Sequence, residues 1–259
     1  MKRPLALAMC GAVAAGVAAV GATAAPASAA ESGWVYSDKW GVIGRNTLGS
    51  PVADLRFGPW GRTSATSAAT QAPPYGRGSL GLEVAAGPDP TVVTNAEKVA
   101  YGNETDFAGL RLRDIRTVRY SIFAGMDSID GVALPGIAFE VDPNLNDTVN
   151  YSTLGYLPHL STAPSSPSPR LPNRWQEYDA AADGSQWFAT GQTGADSGCI
   201  LADPCTFAEL KLALPNAVVT YSVQFQKGRD NAFVGAVDGL RLNNTVYDFE
   251  YNGVRKRKT

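Results

Sequence analysis

Hydrophobic and polar residues alternate with a period of two along several short stretches of the chain. This is the period of a β-strand that turns one face to a core and the other to solvent. The pattern therefore predicts half-buried antiparallel strands. In the clearest stretch, polar residues alternate with the apolar set Val219, Tyr221, Val223 and Phe225. The other stretches with this alternation are 79–84, 117–122 and 136–142.

The C-terminal part of the chain predicts two further strands joined by a tight turn. Large residues occupy odd positions in 233–237 and even positions after Asp238-Gly239. Such a change of parity across a glycine predicts a β-bulge. Asn243-Asn244 then predicts a hairpin turn into a last strand over 245–250.

One short helix is predicted near residues 206–214. Thr206 and Glu209 fit a capping box, apolar residues follow at helical spacing, and Pro215 ends the pattern. About nine strands, one helix and several long loops favour an all-β fold. We therefore expect an antiparallel β-sandwich of jelly-roll type.

The N-terminus has the pattern of a secretory signal peptide. A basic segment that contains Lys2 and Arg3 precedes an Ala-, Gly- and Val-rich run, and Ala27-Ser28-Ala29 is a cleavage site of the A-x-A type. We expect cleavage near Ala29, and a protein that is secreted and either extracellular or associated with the cell wall. The expected organisation is a signal peptide over 1–29, a single β-sandwich domain over 30–254 and a solvated basic tail over 255–259.

Composition and charge restrict the classes of partner. Of the 259 residues, 44% are hydrophobic and 18% are charged, so the chain is neither disordered nor a polyelectrolyte. The chain has 22 Lys and Arg against 24 Asp and Glu; loss of Lys2 and Arg3 leaves 20 against 24, a net charge of −4. A mildly acidic protein is poorly suited to bind nucleic acid. No segment beyond the signal peptide is apolar for long enough to span a membrane.

The few cysteine and histidine residues exclude much chemistry. Cys199 and Cys205 are the cysteines that remain after cleavage, and two cysteines in an exported chain most simply form one local disulfide. His159 is the single histidine, so it cannot complete a zinc shell with two thiolates. The chain also lacks a G-x-S-x-G nucleophile motif.

Two pairs of carboxylates are candidates for chemistry. Glu140 and Asp142 lie two residues apart on a predicted strand and project from the same face. A glycan hydrolase needs such a pair, although the solvated face of a sheet has the same pattern. Asp238 and Glu250 lie on neighbouring predicted strands and are candidate ligands for a structural calcium ion, the one cofactor that we consider.

An aromatic cluster is the candidate ligand-binding site. Trp175, Tyr178 and Trp187 are interleaved with Gln, Glu and Asp within thirteen residues. Flat rings bind the apolar face of a pyranose, and planar polar groups bind its hydroxyls. Packing in the core is the structural alternative for these rings. In a regular strand Trp175 and Tyr178 would also face opposite sides of the sheet.

Several short motifs occur in a fixed order over roughly residues 78–250. They are Gly78-Ser79-Leu80, Trp175–Asp179, Trp187, the two cysteines with Thr206-Phe207, Pro215–Ala217, Gly235–Leu240 and Tyr247–Glu250. In this order they resemble a mostly uncharacterised group of secreted bacterial β-sandwich proteins. The C-terminal Val-Asp-x-Leu and Tyr-Asp-Phe-Glu strands are also similar to the closing strands of galactose-binding-like jelly rolls, which include many carbohydrate-binding modules. Neither resemblance implies a catalytic residue.

The leading hypothesis is a secreted, non-enzymatic β-sandwich protein that binds an extracellular or cell-surface glycan. Its expected partner is an extracellular polysaccharide or a cell-wall polymer, and it is expected to be a monomer. Two alternatives stay open. One is an extracellular glycan hydrolase that uses Glu140 and Asp142, and the other is a purely structural surface protein.

Overall fold

Two large antiparallel sheets make up most of the described chain. The structure, a computed structural model, describes residues 33–58, 62–64, 67–68, 71–85, 97–128 and 133–259. The predicted signal peptide lies outside these residues. Residues 33–259 form one unit.

The first sheet has eight strands. Its centre is the strand Phe233–Leu242, which pairs along one edge with two strands in succession and along its other edge with Val118–Ala124. The strands of this sheet are β1 (Val35–Ser37), β3 (Val52–Phe57), β6 (Gly78–Val84), β8 (Val118–Ala124), β11 (Trp175–Asp179), β14 (Phe233–Leu242), β15 (Thr245–Glu250) and β16 (Gly253–Lys258).

The second sheet has six strands, which are β2 (Trp40–Val42), β7 (Val99–Asn103), β9 (Gly136–Asp142), β10 (Ser152–Tyr156), β12 (Trp187–Ala189) and β13 (Val218–Lys227). Their order across the sheet is β12-β10-β9-β13-β7-β2. A small hairpin contains β4 (Arg62–Ser64) and β5 (Ser67–Ala68). The α-helices of the described chain are α1 (Gly191–Ser197) and α2 (Phe207–Ala213), and its 3-10 turns are Gly44–Asn46, Leu112–Asp114 and Met126–Ser128. The predicted all-β antiparallel sandwich is confirmed.

The inner faces of the two sheets meet in one aromatic core. Trp187 is fully buried and lies 5.5 Å from the Phe139 ring, with which it stacks, and 4.9 Å from the Phe207 ring of α2. Its indole Nε1 donates to the Ala180 carbonyl at 2.7 Å. The core therefore joins β9, β12 and α2 through a single side chain whose polar atom is satisfied.

Several local predictions are confirmed. The register of β14 against β8 shifts between Asp238 and Arg241, which is the predicted bulge. Asn243-Asn244 forms the two-residue turn from β14 to β15. Helix α2 begins after Thr206 with a complete capping box that includes Glu209.

The predicted disulfide between Cys199 and Cys205 is present. The loop that it closes lies along β12. Trp187 and Cys205 exchange backbone hydrogen bonds of 2.7 and 2.9 Å, and the Ala189 amide donates to the Cys199 carbonyl at 2.8 Å. The disulfide thus fixes the start of α2 against the edge of the six-stranded sheet.

Helix α1 was not predicted, because its sequence Gly-Gln-Thr-Gly-Ala-Asp-Ser has no apolar stripe. It packs through small residues instead. A Cβ atom added at Gly194 would lie 2.3 Å from the Ala189 carbonyl oxygen. The helix backbone therefore packs directly against the backbone at the end of β12, with no room for a side chain between them. Gly198 ends it in the left-handed conformation with φ of 76°.

The prediction of a solvated basic tail over 255–259 is wrong. Residues up to Lys258 belong to β16, which pairs with β15 on one side and β1 on the other. Arg255 contacts Asp248 at 2.6 Å and Glu250 at 3.1 Å, and Lys256 contacts Asp106 at 2.7 Å. Two of the charges that suggested a solvated segment, on Arg255 and Lys256, are therefore paired with carboxylates.

One of the four apolar residues in the alternation of β13 does not reach the core. Tyr221 is 45% exposed, whereas Val219, Val223 and Phe225 are buried. The register of β13 against β9 shifts between Val219 and Ser222, so the residues inserted there leave the regular pleat. Tyr221 therefore lies outside the core, although the period of two predicted that it would be inside.

Trp187→Ala should lower the free energy of unfolding by about 3–5 kcal/mol, because it removes the largest ring in the core and leaves a cavity. Denaturant unfolding of the purified protein measures this change. Leu212→Ala is the control, since Leu212 is 81% exposed, and it should change stability by less than about 0.5 kcal/mol. Equal effects of the two substitutions would contradict the central place of Trp187 in the core.

Candidate functional site

The structure does not bring the predicted aromatic cluster together on an open surface. Trp187 and Tyr178 are 0% and 1% exposed, and both belong to the core. Tyr178 stacks on Tyr120, with ring centroids 6.2 Å apart. The prediction that these two rings bind ligand is corrected: large rings on inward positions of β11 and β12 are more favourable inside the sandwich.

Trp175 lies apart from the other two rings. It is at the start of β11, directly opposite Phe123 of β8, and the ring centroids are 5.6 Å apart. The pairing of β11 with β8 is regular, so Trp175 and Tyr178 project from opposite faces, as the strand period predicts. Trp175 is half-buried.

The predicted carboxylate pair is divided between two environments. The Asp142 carboxylate accepts the Asn144 amide at 2.9 Å and so stabilises the turn after β9. Glu140 is fully buried and belongs to a polar cluster on the outer face of the six-stranded sheet. We call this cluster the Glu140 site, and it contains Arg45, Asn46, Glu140, Tyr151, Thr153, Tyr221 and Ser222.

Four side chains donate to the Glu140 carboxylate. Oε1 accepts from Asn46 Nδ2 at 2.7 Å and from the Tyr151 hydroxyl at 2.6 Å. Oε2 accepts from Ser222 Oγ at 2.6 Å and from the Arg45 guanidinium. Each oxygen thus has two donors, which replace the water that a buried carboxylate loses.

These donors come from three separate parts of the chain. The 3-10 turn Gly44–Asn46 follows β2 and carries Arg45 and Asn46 over the sheet. Tyr151 precedes β10, and Ser222 lies on β13 directly opposite Glu140 in the strand register. The Glu140 carboxylate on β9 therefore connects the turn that follows the edge strand β2 to the middle of the sheet.

Hydrogen bonds reverse the effect of burial on the acidity of Glu140. Burial by itself would raise the pKa of Glu140, but the bonds from Ser222, Tyr151, Asn46 and Arg45 hold that pKa below its usual value of 4.5. The group is consequently ionised at neutral pH. Burial, followed by the bond to this carboxylate, raises the pKa of Tyr151, so its phenol stays a donor.

Two tyrosine rings form the exposed part of the site. Tyr151 and Tyr221 are 40% and 45% exposed, and their rings meet edge to face with centroids 5.3 Å apart. The Tyr151 hydroxyl is fixed between Glu140 and Thr153 Oγ1, which is 3.1 Å away. The bulge in β13 places Tyr221 beside Tyr151 on the outer face.

A charged pair borders the two rings. The Arg45 guanidinium lies 5.9 Å from the centre of the Tyr221 ring and also pairs with Glu104, which follows β7. The Arg45 and Glu104 side chains are 42% and 50% exposed. Their outer atoms therefore reach solvent beside the rings, where they can donate to and accept from a ligand.

The candidate calcium ligands have other partners. Asp238 accepts the Phe249 amide at 3.0 Å and the Tyr75 amide at 3.2 Å, while Glu250 accepts the Arg77 amide at 2.8 Å and pairs with Arg255. Within the described residues, no three or more His, Cys, Asp or Glu side chains are grouped to hold a metal ion. This geometry adds no support to the calcium hypothesis, which stays a prediction.

Sequence reasoning selected Glu140 but missed the residues around it. Tyr221 was assigned to the core by its period, and Arg45, Asn46 and Tyr151 lie in irregular segments where no spacing points to a shared site. Tyr151 precedes β10 and Tyr221 lies on β13. The sequence does not show that these two strands lie on either side of β9, which is what brings the two rings together.

Comparison of the chain with protein-family models, with curated proteins and with solved structures gives no match in any of the three. The resemblances to secreted bacterial β-sandwich proteins and to carbohydrate-binding modules therefore stay predictions. None of the helices in the described ranges is long and apolar enough to cross a membrane.

Glu140→Gln should make the free energy of unfolding change less with pH in the acid range. A carboxyl group whose folded pKa is below its unfolded value of 4.5 stabilises the protein above that value, and the contribution is lost as pH falls through the folded pKa. At neutral pH the variant should be about 1–3 kcal/mol less stable. The difference from the wild type should shrink in acid.

Denaturant unfolding at a series of pH values measures this difference. Glu104→Gln is the matched control, because Glu104 bonds the same Arg45 but is half exposed. It should change stability by less than about 1 kcal/mol. A constant gap between wild type and Glu140→Gln across the pH series would contradict the ionised state of Glu140.

Proposed function

We propose that the protein is a secreted, non-enzymatic β-sandwich that binds an extracellular or cell-surface glycan at the Glu140 site. The observation that carries this proposal is the exposed Tyr151–Tyr221 pair, held beside a charged and polar rim. A glycan is also the ligand that the sequence predicts, but the Glu140 site replaces the predicted cluster of Trp175, Tyr178 and Trp187.

The two rings supply the apolar part of such a site. A pyranose has a face of C–H groups, and aromatic rings bind it by removing that face from water. Tyr151 cannot turn freely, because its hydroxyl is bonded to Glu140 and Thr153. A ring fixed before binding loses little conformational entropy when the ligand arrives.

The rim supplies hydrogen bonds with fixed directions. The planar Arg45 guanidinium is held by Glu104 on one side and Glu140 on the other. Arg45 can donate to a sugar hydroxyl, and Glu104 and Thr153 can accept from one. Such groups distinguish sugars by the orientation of their hydroxyls, because a polar group that the bound ligand covers without pairing it is costly.

Binding without hydrolysis fits the state of Glu140. A glycosidase needs one protonated carboxyl group, with a raised pKa, as general acid, and a second carboxylate near it. The lowered pKa of Glu140 suits only the second role, and its predicted partner Asp142 bonds the turn after β9 instead. All four hydrogen bonds of Glu140 are to the protein itself. We therefore assign Glu140 a positioning role: it fixes Arg45, Asn46 and Tyr151.

Secretion is part of the same proposal. The signal-peptide pattern motivates it, and the Cys199–Cys205 disulfide supports it, because such bonds persist in oxidising compartments outside the cytosol. The expected partner is accordingly an extracellular polysaccharide or a cell-wall polymer.

Tyr151→Ala and Tyr221→Ala should each weaken glycan binding about tenfold or more, since an exposed aromatic at the centre of a site is worth more than about 1 kcal/mol. The measurement is binding of the purified protein to an array of neutral and acidic polysaccharides, followed by titration with those retained. Tyr151→Phe keeps the ring but loses the bond to Glu140, and we expect an intermediate loss.

Two controls separate this site from other aromatics. Tyr36 is 59% exposed and lies on the eight-stranded sheet, so Tyr36→Ala should bind as the wild type does. Trp175→Ala tests the cluster that the sequence suggested. Binding lost only in Trp175→Ala would move the site to β11, and a wild type that retains no polysaccharide would overturn the proposal.

A further inference from the structure

A cavity of about 510 Å³ lies beside the three strands β1, β15 and β16, away from the Glu140 site. Its size falls within the range of small-ligand sites. Its lining includes Asp106, Thr245, Tyr247 and, from the C-terminal strand, Lys256, Arg257 and Lys258.

The lining is basic although the whole chain is acidic. Three of these residues are Lys or Arg and one is Asp, whereas the full chain has 22 basic against 24 acidic residues. Lys256 pairs with Asp106 at 2.7 Å, which neutralises one charge of each sign. Arg257 lies 4.5 Å over the Trp34 ring, and the cations of Arg257 and Lys258 have no carboxylate partner among the described residues.

Two hydroxyl groups add directed donors to this charge. Lys258 Nζ donates to Thr245 Oγ1 at 2.9 Å, so the Thr245 hydroxyl proton is left to donate to another group. The Tyr247 hydroxyl has no hydrogen bond to another described residue, and burial followed by the Asp106 charge raises the pKa of Tyr247. The phenol therefore remains a donor.

We infer that this cavity is a binding site for a phosphate group, free or as a phosphate ester, which Lys258 binds by charge and Thr245 and Tyr247 bind through their hydroxyls. A tetrahedral oxyanion offers several acceptors to donors that converge from different strands. The register places these donors together: Thr245 is opposite Lys258, and Tyr247 is opposite Lys256. The site is independent of the proposed glycan site.

The test is a titration of the purified protein with inorganic phosphate and, separately, with glycerol 3-phosphate, in a chloride buffer of constant ionic strength. Backbone amide NMR shifts of β15 and β16 report the location, and their dependence on concentration reports the affinity. Lys258→Met keeps the aliphatic chain and should weaken phosphate binding about tenfold. Thr245→Val removes one hydroxyl donor and should weaken phosphate binding by less than that. Arg113→Ala, with the same charge change on an exposed turn outside the lining, should have no effect.

Each outcome decides the inference. Saturable shifts with both probes support a site for the oxyanion itself, and shifts with glycerol 3-phosphate alone support a site for esters. Absence of saturation with either probe overturns the inference, as does an equal loss in Lys258→Met and Arg113→Ala, which would indicate general electrostatic attraction. Because Tyr151 and Tyr221 lie outside the lining, Tyr221→Ala should bind phosphate normally even if glycan binding fails.

Discussion

The buried carboxylate of Glu140 is the constraint on which the surface of the six-stranded sheet depends. An ionised group removed from water must be paired, or its charged form becomes strongly unfavourable. Glu140 meets this demand with four donors from the 3-10 turn after β2, the start of β10 and the middle of β13. The same bonds hold Arg45 and Tyr151 at the surface. One internal requirement thus fixes the geometry of an external site.

The bulge in β13 is the second element of this arrangement. In a regular strand Tyr221 would point inward with Val219 and Val223, where Trp187 and Phe139 already fill the core. The register shift frees Tyr221 from the pleat and places it against Tyr151. Bulges commonly redirect a side chain in this way near functional sites. The bulge therefore joins strand geometry directly to the proposed chemistry.

The terminal strand β16 contains four consecutive basic residues, Arg255–Lys258. Its alternating basic residues divide between two faces: Arg255 contacts Asp248 and Glu250, while Lys256 and Lys258 border the cavity. A run of four cations is tolerated within a sheet because the β15 carboxylates and Asp106 neutralise part of it. Among the described residues, the cations without a carboxylate partner are Arg257, which lies over the Trp34 ring, and Lys258, which borders the cavity.

The sequence by itself determined the features that arise from neighbours in the chain. The strands at the alternating stretches, the Asn243-Asn244 turn, the Thr206 capping box, the bulge at Asp238-Gly239 and the cysteine pair are all local patterns, and all are present. Only the tertiary structure decided which aromatic rings are buried, which carboxylates are paired and that residues 255–258 form a strand. These depend on contacts between residues far apart in sequence, such as Glu140 with Asn46, and no local spacing encodes which strands become neighbours.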